Sequence, residues 1–316
     1  MTTSKAKIAI IGGGAAGLMA AATLVECKVP AEIFLFERNA YLGAKIIISG
    51  GGRCNVTTGV TDKKHLLSKY TRGEDFLKTA IYDFPPEKVR AWFEDHGVAL
   101  KVEDDLRVFP RSNDGKDVVG AFEKLLKKCA VHIRLKEAVL SVNPTEDKKF
   151  SISTNRGKET YDQLLITTGG NAYEHTGSKG DGYGFAKACG HGITKLGPSL
   201  NSFITAEGWP KKLSGVSLED VRLETIADDG EKKIVSGPVI FTHFGISGPA
   251  TFALSSHLAF TPISKDTPHK IQLTPINNRN AEQWEELLKE KIQENGPRQI
   301  HNVLGDFFPK RFADTV

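Results

Sequence analysis

Hydrophobic positions open the chain as a short, almost unbroken run. Lys7 to Ile11 reads KIAII, and after a cluster of glycines LMAAATLVE has the look of a helix. A second apolar run, Ile33 to Phe36, follows. Strand, helix and strand in that order predict a βαβ unit at the start of the chain. Further helices are expected near 73–83, 86–96 and 116–129, then short strands at VHIRL, AVLSV, FSISTN and QLLITTGG. From about Lys195 helical periodicity becomes scarce. β-branched runs alternate with glycine, proline and the hairpin signal Asp228-Asp229-Gly230. In that stretch Ser247-Gly248-Pro249 before ATFALSSHL predicts a short capped helix with proline in its first turn. From Asn280 onward AEQWEELLKEKIQEN carries Trp284, Leu287, Leu288 and Ile292 on one helical face. Another short helix is expected after Gly296-Pro297, and a third starts within FPKRFADTV. The pattern predicts an α/β domain over 1–194, a β-rich, barrel-like domain over 195–275 and a helical segment over 276–316.

Composition narrows the partners more than the fold. With 316 residues, 40% hydrophobic and 25% charged, the chain can bury more than one core. Its net charge of +4 is spread among acids, and no basic stripe with interleaved aromatics is evident, so no nucleic-acid partner is expected. No apolar stretch reaches the length of a membrane span, and MTTSKAK leads directly into the first strand without a signal peptide. Cys27, Cys54, Cys129 and Cys189 lack any C-x-x-C spacing. A reducing cytoplasmic setting and no metal site are the expectation.

The glycines carry the chemistry. Gly12-Gly13-Gly14-Ala15-Ala16-Gly17 is G-x-G-x-x-G set between strand and helix. Such a turn lets the backbone approach a pyrophosphate and aims the amides of a helix N-terminus at it. Glu37 ends the second apolar run, where an acid can accept hydrogen bonds from a ribose diol, and Arg38 follows it. A second string, Lys45 through Ser49-Gly50-Gly51-Gly52-Arg53-Cys54-Asn55, offers exposed backbone amides, a guanidinium and an amide to a flat or phosphorylated ligand. Thr168-Gly169-Gly170, at the end of QLLITTGG, is a candidate second contact to the same ligand.

GGGAAGLMAA, the strand-end acid and KIIISGGGRCNVT resemble the HI0933-like flavoproteins, as do RVFP at 107–110, GDGY at 180–183 and FTHFGISGP at 241–249. The resemblance runs along essentially the whole chain. It implies a Rossmann-like FAD domain of the glutathione-reductase type, interrupted by an antiparallel β-barrel and a small helical domain. It also implies an FAD-dependent oxidoreductase acting on a small-molecule substrate, with NAD(P)H as a transient reductant. One branch of that family reduces conjugated C=C bonds of bile-acid intermediates, and others carry an aminoacetone-oxidase-like label. Carried onto this sequence, Gly12 to Gly17 hold the pyrophosphate and Glu37 the adenosine ribose. Lys45 and Ser49 to Asn55 line the ribitol and ring, and the backbone of Val139 touches adenine. Family members return to the FAD domain after the helical insert and add a second glycine-rich flavin contact. No such segment is found here, so weak FAD retention is expected.

Other residues stay open at this level. His243 is a weak candidate proton donor, with a structural histidine as the plainer reading, and no other catalytic residue suggests itself. Cys54 lacks a partner thiol nearby in sequence, which favours packing or ring contact over redox chemistry. Arg107 and Arg111 flank Phe109-Pro110 and could hold an anionic group. Two rivals to the flavin reading are an NAD(P)-binding dehydrogenase without flavin and a non-catalytic dinucleotide-binding protein; an aminoacetone-like amine oxidase is a further alternative reaction that the resemblance implies.

Overall fold

The computed structural model describes residues 5–275, 281–295 and 300–315. The chain divides into two compact units, Met1–Thr194 and Lys195–Val316.

In the first unit the apolar runs become parallel strands. β1 is Ala6–Ile11, helix α1 is Ala15–Glu26 and β2 is Ala31–Glu37. Strand Gln163–Ile166 flanks β1 and strand His132–Leu135 flanks β2, all four parallel. Alternate residues of β1 enter different cores. Ile8 and Ile10 pack with Leu18, Ile33 and Leu35, whereas Ala9 and Ile11 pack with Phe34, Phe36 and Tyr161. Burial on both faces is why these strands read as continuous hydrophobic runs rather than alternating ones. The chain leaves β1 for β2 on one side and comes back to the other side of β1 at Gln163. That reversal opens a crevice at the carboxyl ends of the two strands.

Two small antiparallel sheets decorate the parallel one. The first joins Thr57–Thr58, Arg107–Pro110 and Leu100–Val102; the second is a meander of Val139–Pro144, Phe150–Thr154 and Gly157–Tyr161. The helices expected between Glu74 and Cys129 form at Glu74–Asp83, Pro86–Asp95 and Gly115–Lys128. The stretch AKIII instead makes a short helix, α2, Ala44–Ile48, although three successive isoleucines favour a strand. Gly43 starts it in the left-handed region, and its Cβ, if present, would meet Val119 at 2.4 Å.

The second unit holds a five-stranded antiparallel sheet in the order Phe203–Ile204, Gly245–Ser247, Lys232–Phe241, Ser217–Ile226, Gln272–Pro275. Its central hairpin closes at Ala227 to Glu231, across the Asp-Asp-Gly signal. Ser247 belongs to a strand and does not cap the following helix; Gly248 precedes Pro249–His257 and supplies no side-chain cap. Helices Ala281–Asn295, Ile300–Leu304 and Lys310–Ala313 follow. Phe312 is buried with Val221, Leu223, Val239 and Phe241, so the last helix and the sheet share one core. The turn expected at Gly296-Pro297 and the side chain of Ile292 lie outside the described residues.

Candidate functional site

The glycine turn is built by close backbone approach. Gly12 donates its N–H to Phe36 O at 2.8 Å, at φ +106°, and a Cβ there would lie 2.5 Å from Thr167 O. A Cβ on Gly17 would sit 1.9 Å from Gly12 O, so only glycine lets α1 pack this close to β1. Thr167 clasps the neighbouring strand end to the turn, its hydroxyl donating to Ile11 O at 2.9 Å and Gly12 O at 3.1 Å. Gly14 starts α1 without a side-chain cap, and the space where its Cβ would stand is open. The first amides of the helix therefore face a gap that an anion can fill.

That gap is part of a cleft of about 830 Å³ within the first unit. Gly12, Gly14, Ala15 and Ala16 line it from the turn, Glu37 and Arg38 from the end of β2. Lys45, Ser49, Cys54 and Asn55 line it from α2 and the loop beyond, and Val139, Thr168 and Gly169 from two further strand ends. Gly17 packs behind the turn. Gly50, Gly51, Gly52, Arg53 and Gly170 are not on the cleft wall.

Glu37 is almost fully buried, and both of its oxygens are engaged. Oε2 accepts from Gly13 N at 2.9 Å and Oε1 from Asn39 N at 2.8 Å. Each carboxylate oxygen keeps a second lone pair for a ligand hydroxyl. Arg38 is paired with Asp181 at 2.7 Å, and Lys45 Nζ donates to Ala172 O at 2.8 Å.

Arg53 turns from the cleft. Its guanidinium stacks 3.8 Å from the centroid of Phe109 and pairs with Glu103 at 2.8 Å, which holds the Glu103 carboxyl below the usual range. Asn55 Oδ1 accepts from Val108 N at 3.2 Å, and Val56 N donates to Val108 O at 2.8 Å. The SGGGRCN string is thereby pinned to the strand Arg107–Pro110. Arg107 itself is paired with Asp105 at 2.6 Å, and Arg111 Nε donates to Leu100 O at 3.2 Å. Cys54 is buried, and burial pushes its thiol pKa up. A thiolate, the form needed for redox chemistry, is disfavoured there.

Some cleft residues escaped the sequence reading. Glu137, Ser178, Asp181 and Tyr183 line it, and Phe93 and Phe122 add an aromatic wall from two helices. Gly180 to Tyr183 stood out only as a string. The helix residues read as ordinary core positions, since a 3.6-residue period does not distinguish a core from a ligand wall. His243 belongs to the second unit. It is exposed in the turn between Thr242 and Gly245, with its ring edge-on to Phe244 at 4.9 Å. Among the described residues no cluster of three or more His, Cys, Asp or Glu could hold a metal, and no helix is long and apolar enough to cross a membrane.

FAD fits these residues. The cleft is within the size range of cofactor sites, its turn presents open amides at Gly14 to Ala16, and Glu37 stands at the end of β2 with lone pairs to spare for a ribose. Fold and site together define a dinucleotide-binding protein of the Rossmann type. The chain belongs to the HI0933-like family. Residues 6–242 match the HI0933-like protein Rossmann domain, and residues 197–316 match the HI0933-like protein barrel and H2TH domain.

Among curated proteins, the chain is 26% identical over 307 residues to a 3-dehydro-bile acid delta(4,6)-reductase of Clostridium scindens, covering 96% of this chain and 73% of that protein. It is also 26% identical over 310 residues to a ribosomal RNA dihydrouridine synthase of Haemophilus influenzae, covering 96% and 72% respectively. Among solved structures, a 3-ketosteroid-delta4-(5alpha)-dehydrogenase of Rhodococcus jostii matches with a TM-score of 0.44 at 12% identity, over 69% of this chain and 61% of that one. A flavocytochrome c3 fumarate reductase matches with a TM-score of 0.43 at 18% identity, over 69% of this chain and 47% of that one.

Proposed function

We propose that this protein uses FAD to saturate a C=C bond conjugated with a carbonyl, taking its electrons from NAD(P)H. The observation that carries the reading is the cleft, which joins the glycine turn and Glu37 to an apolar wall of Ile46, Phe93 and Phe122. The two curated relatives add the reaction class. A delta(4,6)-reductase of a 3-dehydro steroid and a dihydrouridine synthase both name the addition of two hydrogens across such a bond.

When bound, reduced FAD would supply a hydride to the substrate carbon distal to the carbonyl, and water would supply the proton to the other carbon. This chain's residues do the rest by binding and orientation. The amides of Gly14 to Ala16 hold the pyrophosphate, the spare lone pairs of Glu37 hold the adenosine ribose, and the Val139 strand end flanks the adenine. Lys45 and Ser49, which line the same cleft, would hold the ribitol. Ile46, Phe93 and Phe122 keep water from the buried part of the cleft, which strengthens polar contacts made there.

The test begins with the cofactor. Flavin released from the purified protein is identified by mass spectrometry, which separates this reading from a nicotinamide-only dehydrogenase. FAD-loaded protein is then reduced anaerobically with NADH or NADPH and mixed with a 3-oxo-4-ene steroid or a uridine-containing RNA. The expected result is flavin reoxidation with a product two hydrogens richer. Reoxidation by oxygen alone, or reduction of the oxidised flavin by an amine, with neither substrate altered, would overturn the reading.

A further inference from the structure

Between two segments that line the cleft, the chain makes a helical excursion that packs poorly. It leaves the cleft at Val56 and rejoins it at Val89 and Phe93. The excursion is a pair of helices, Lys63–Leu67 and Glu74–Asp83. The second helix has no buried residue, and only Leu77 and Ile81 are half-buried. Phe76 and Tyr82 on that helix are at the surface, Phe76 being 88% exposed, and Tyr70 before it and Phe84 after it are also exposed. The preceding stretch, KKHLLSKYTR at 63–72, carries Lys63, Lys64, Lys69 and Arg72 and no acid. Asp62, just before it, is used as a cap, accepting from Lys64 N and His65 N. The acids Glu74 and Asp75 lie in the first turn of the next helix, where its dipole favours them. The basic stretch and the aromatics meet physically: Lys63 Nζ lies 5.1 Å from the Tyr82 ring centroid.

We infer that this helical pair is a docking surface for RNA that delivers an unstacked base to the cleft. The inference rests on the reading that the reaction saturates a conjugated C=C bond, which a uracil ring contains. Exposed aromatic rings beside a cationic stretch match the two demands of single-stranded RNA, stacking surfaces for bases and positive charge for phosphates. Chemistry on a base requires that it leave its stack, and the chain on either side of the helical pair, at Val56 and Val89, lines the cleft where that chemistry would occur. As sequence, the segment has the pattern of an ordinary amphipathic helix with mixed charge. Folded, it shows its aromatics to solvent, where a core provides no reason for them.

The probe is a fluorescein-labelled RNA stem-loop with a uridine-rich loop, titrated with FAD-loaded protein at several salt concentrations. Phe76→Ser with Tyr70→Ser removes stacking, and Lys64→Gln with Lys69→Gln removes charge; all four side chains are exposed and none lines the cleft. The serine pair should weaken RNA binding roughly tenfold. The glutamine pair should lower the salt slope by about 1.4, at roughly 0.7 for each phosphate that is no longer neutralised. Flavin content and NAD(P)H oxidation should stay as in the parent protein.

If the parent binds this RNA and both pairs leave affinity and slope unchanged, the docking surface is refuted, even where uridine or enone reduction is intact. If binding falls in both pairs but the parent reduces neither uridine nor the enone, the surface stands and the C=C reading fails. Absence of RNA binding by the parent protein, or equal loss with a matched acidic peptide as ligand, overturns the surface.

Discussion

Glu37 shows how one side chain can serve structure and ligand at once. Its carboxylate is tied to the N–H groups of Gly13 and Asn39, which fixes the geometry of the turn before any ligand arrives. A ribose diol then meets an acceptor that needs no rearrangement. Glu37→Ala is expected to weaken FAD binding by about 1–3 kcal/mol, the scale for losing a charged hydrogen-bond partner. Titration of apoprotein with FAD, followed by flavin fluorescence, measures it. An unchanged dissociation constant would exclude the ribose role. Because two backbone N–H groups also lose their acceptor, the variant should melt earlier even without cofactor.

At the scale of elements, close approach of atoms decides which changes are tolerated. Gly17→Ala puts a methyl group 1.9 Å from a backbone oxygen that cannot move without disturbing β1. Overpacking of this kind costs about 1–3 kcal/mol or more, and α1 should shift, carrying its N-terminal amides away from the turn. Loss of both stability and FAD affinity is expected, read by thermal melting and titration; retention of both would show that the turn yields easily. The loop at Ser49 to Asn55 is held differently, by Arg53 on Phe109 and Glu103 and by Asn55 on Val108. Glu103→Gln should therefore speed FAD release, more so at low salt than at high salt. A stopped-flow displacement assay checks this; an equal rate at both salt concentrations would mean the ion pair does not position the loop. The βαβ unit and its acid were legible in the sequence because each follows from local pattern and spacing. Arg53 was not, since nothing local says whether a guanidinium faces a ligand or a neighbouring strand. Strand Gly157–Tyr161 was likewise hidden: only Tyr161 is buried, so no alternation marks it. Helix α2 was not legible either: three successive isoleucines favour a strand, and of the three only Ile46 is buried.

The whole molecule has two units with separate cores, and its candidate FAD site lies within the first. Added FAD should therefore raise the stability of that unit, by about 2.7 kcal/mol at a hundredfold excess over the dissociation constant. Hydrogen exchange measured unit by unit tests it, and equal protection of strands in Lys195–Val316 would count against the assignment. Acid should destabilise the first unit in a defined range. The Arg134 guanidinium, bonded to Glu159 at 2.5 Å, holds that carboxyl below its ordinary 4.5. A carboxyl depressed in the folded state contributes stability that is complete above the unfolded value and is lost as pH falls through the folded one. The melting temperature should be level with respect to this pair above about pH 5 and drop below it. Glu159→Gln should remove part of that drop; an identical acid limb in the variant would show the pair contributes nothing.

Cys54 offers a way to watch the glycine loop move. It sits inside the loop, buried, on a backbone in the left-handed region at φ 57°, while Cys27 and Cys129 are exposed and Cys189 is partly so. A maleimide added to the native protein would tag those three at their own pace and reach the fourth only when the loop lifts from its strand. The slow phase of labelling is then a clock for loop opening. If the loop closes over the cofactor, that clock should slow when FAD is bound, with no engineered probe.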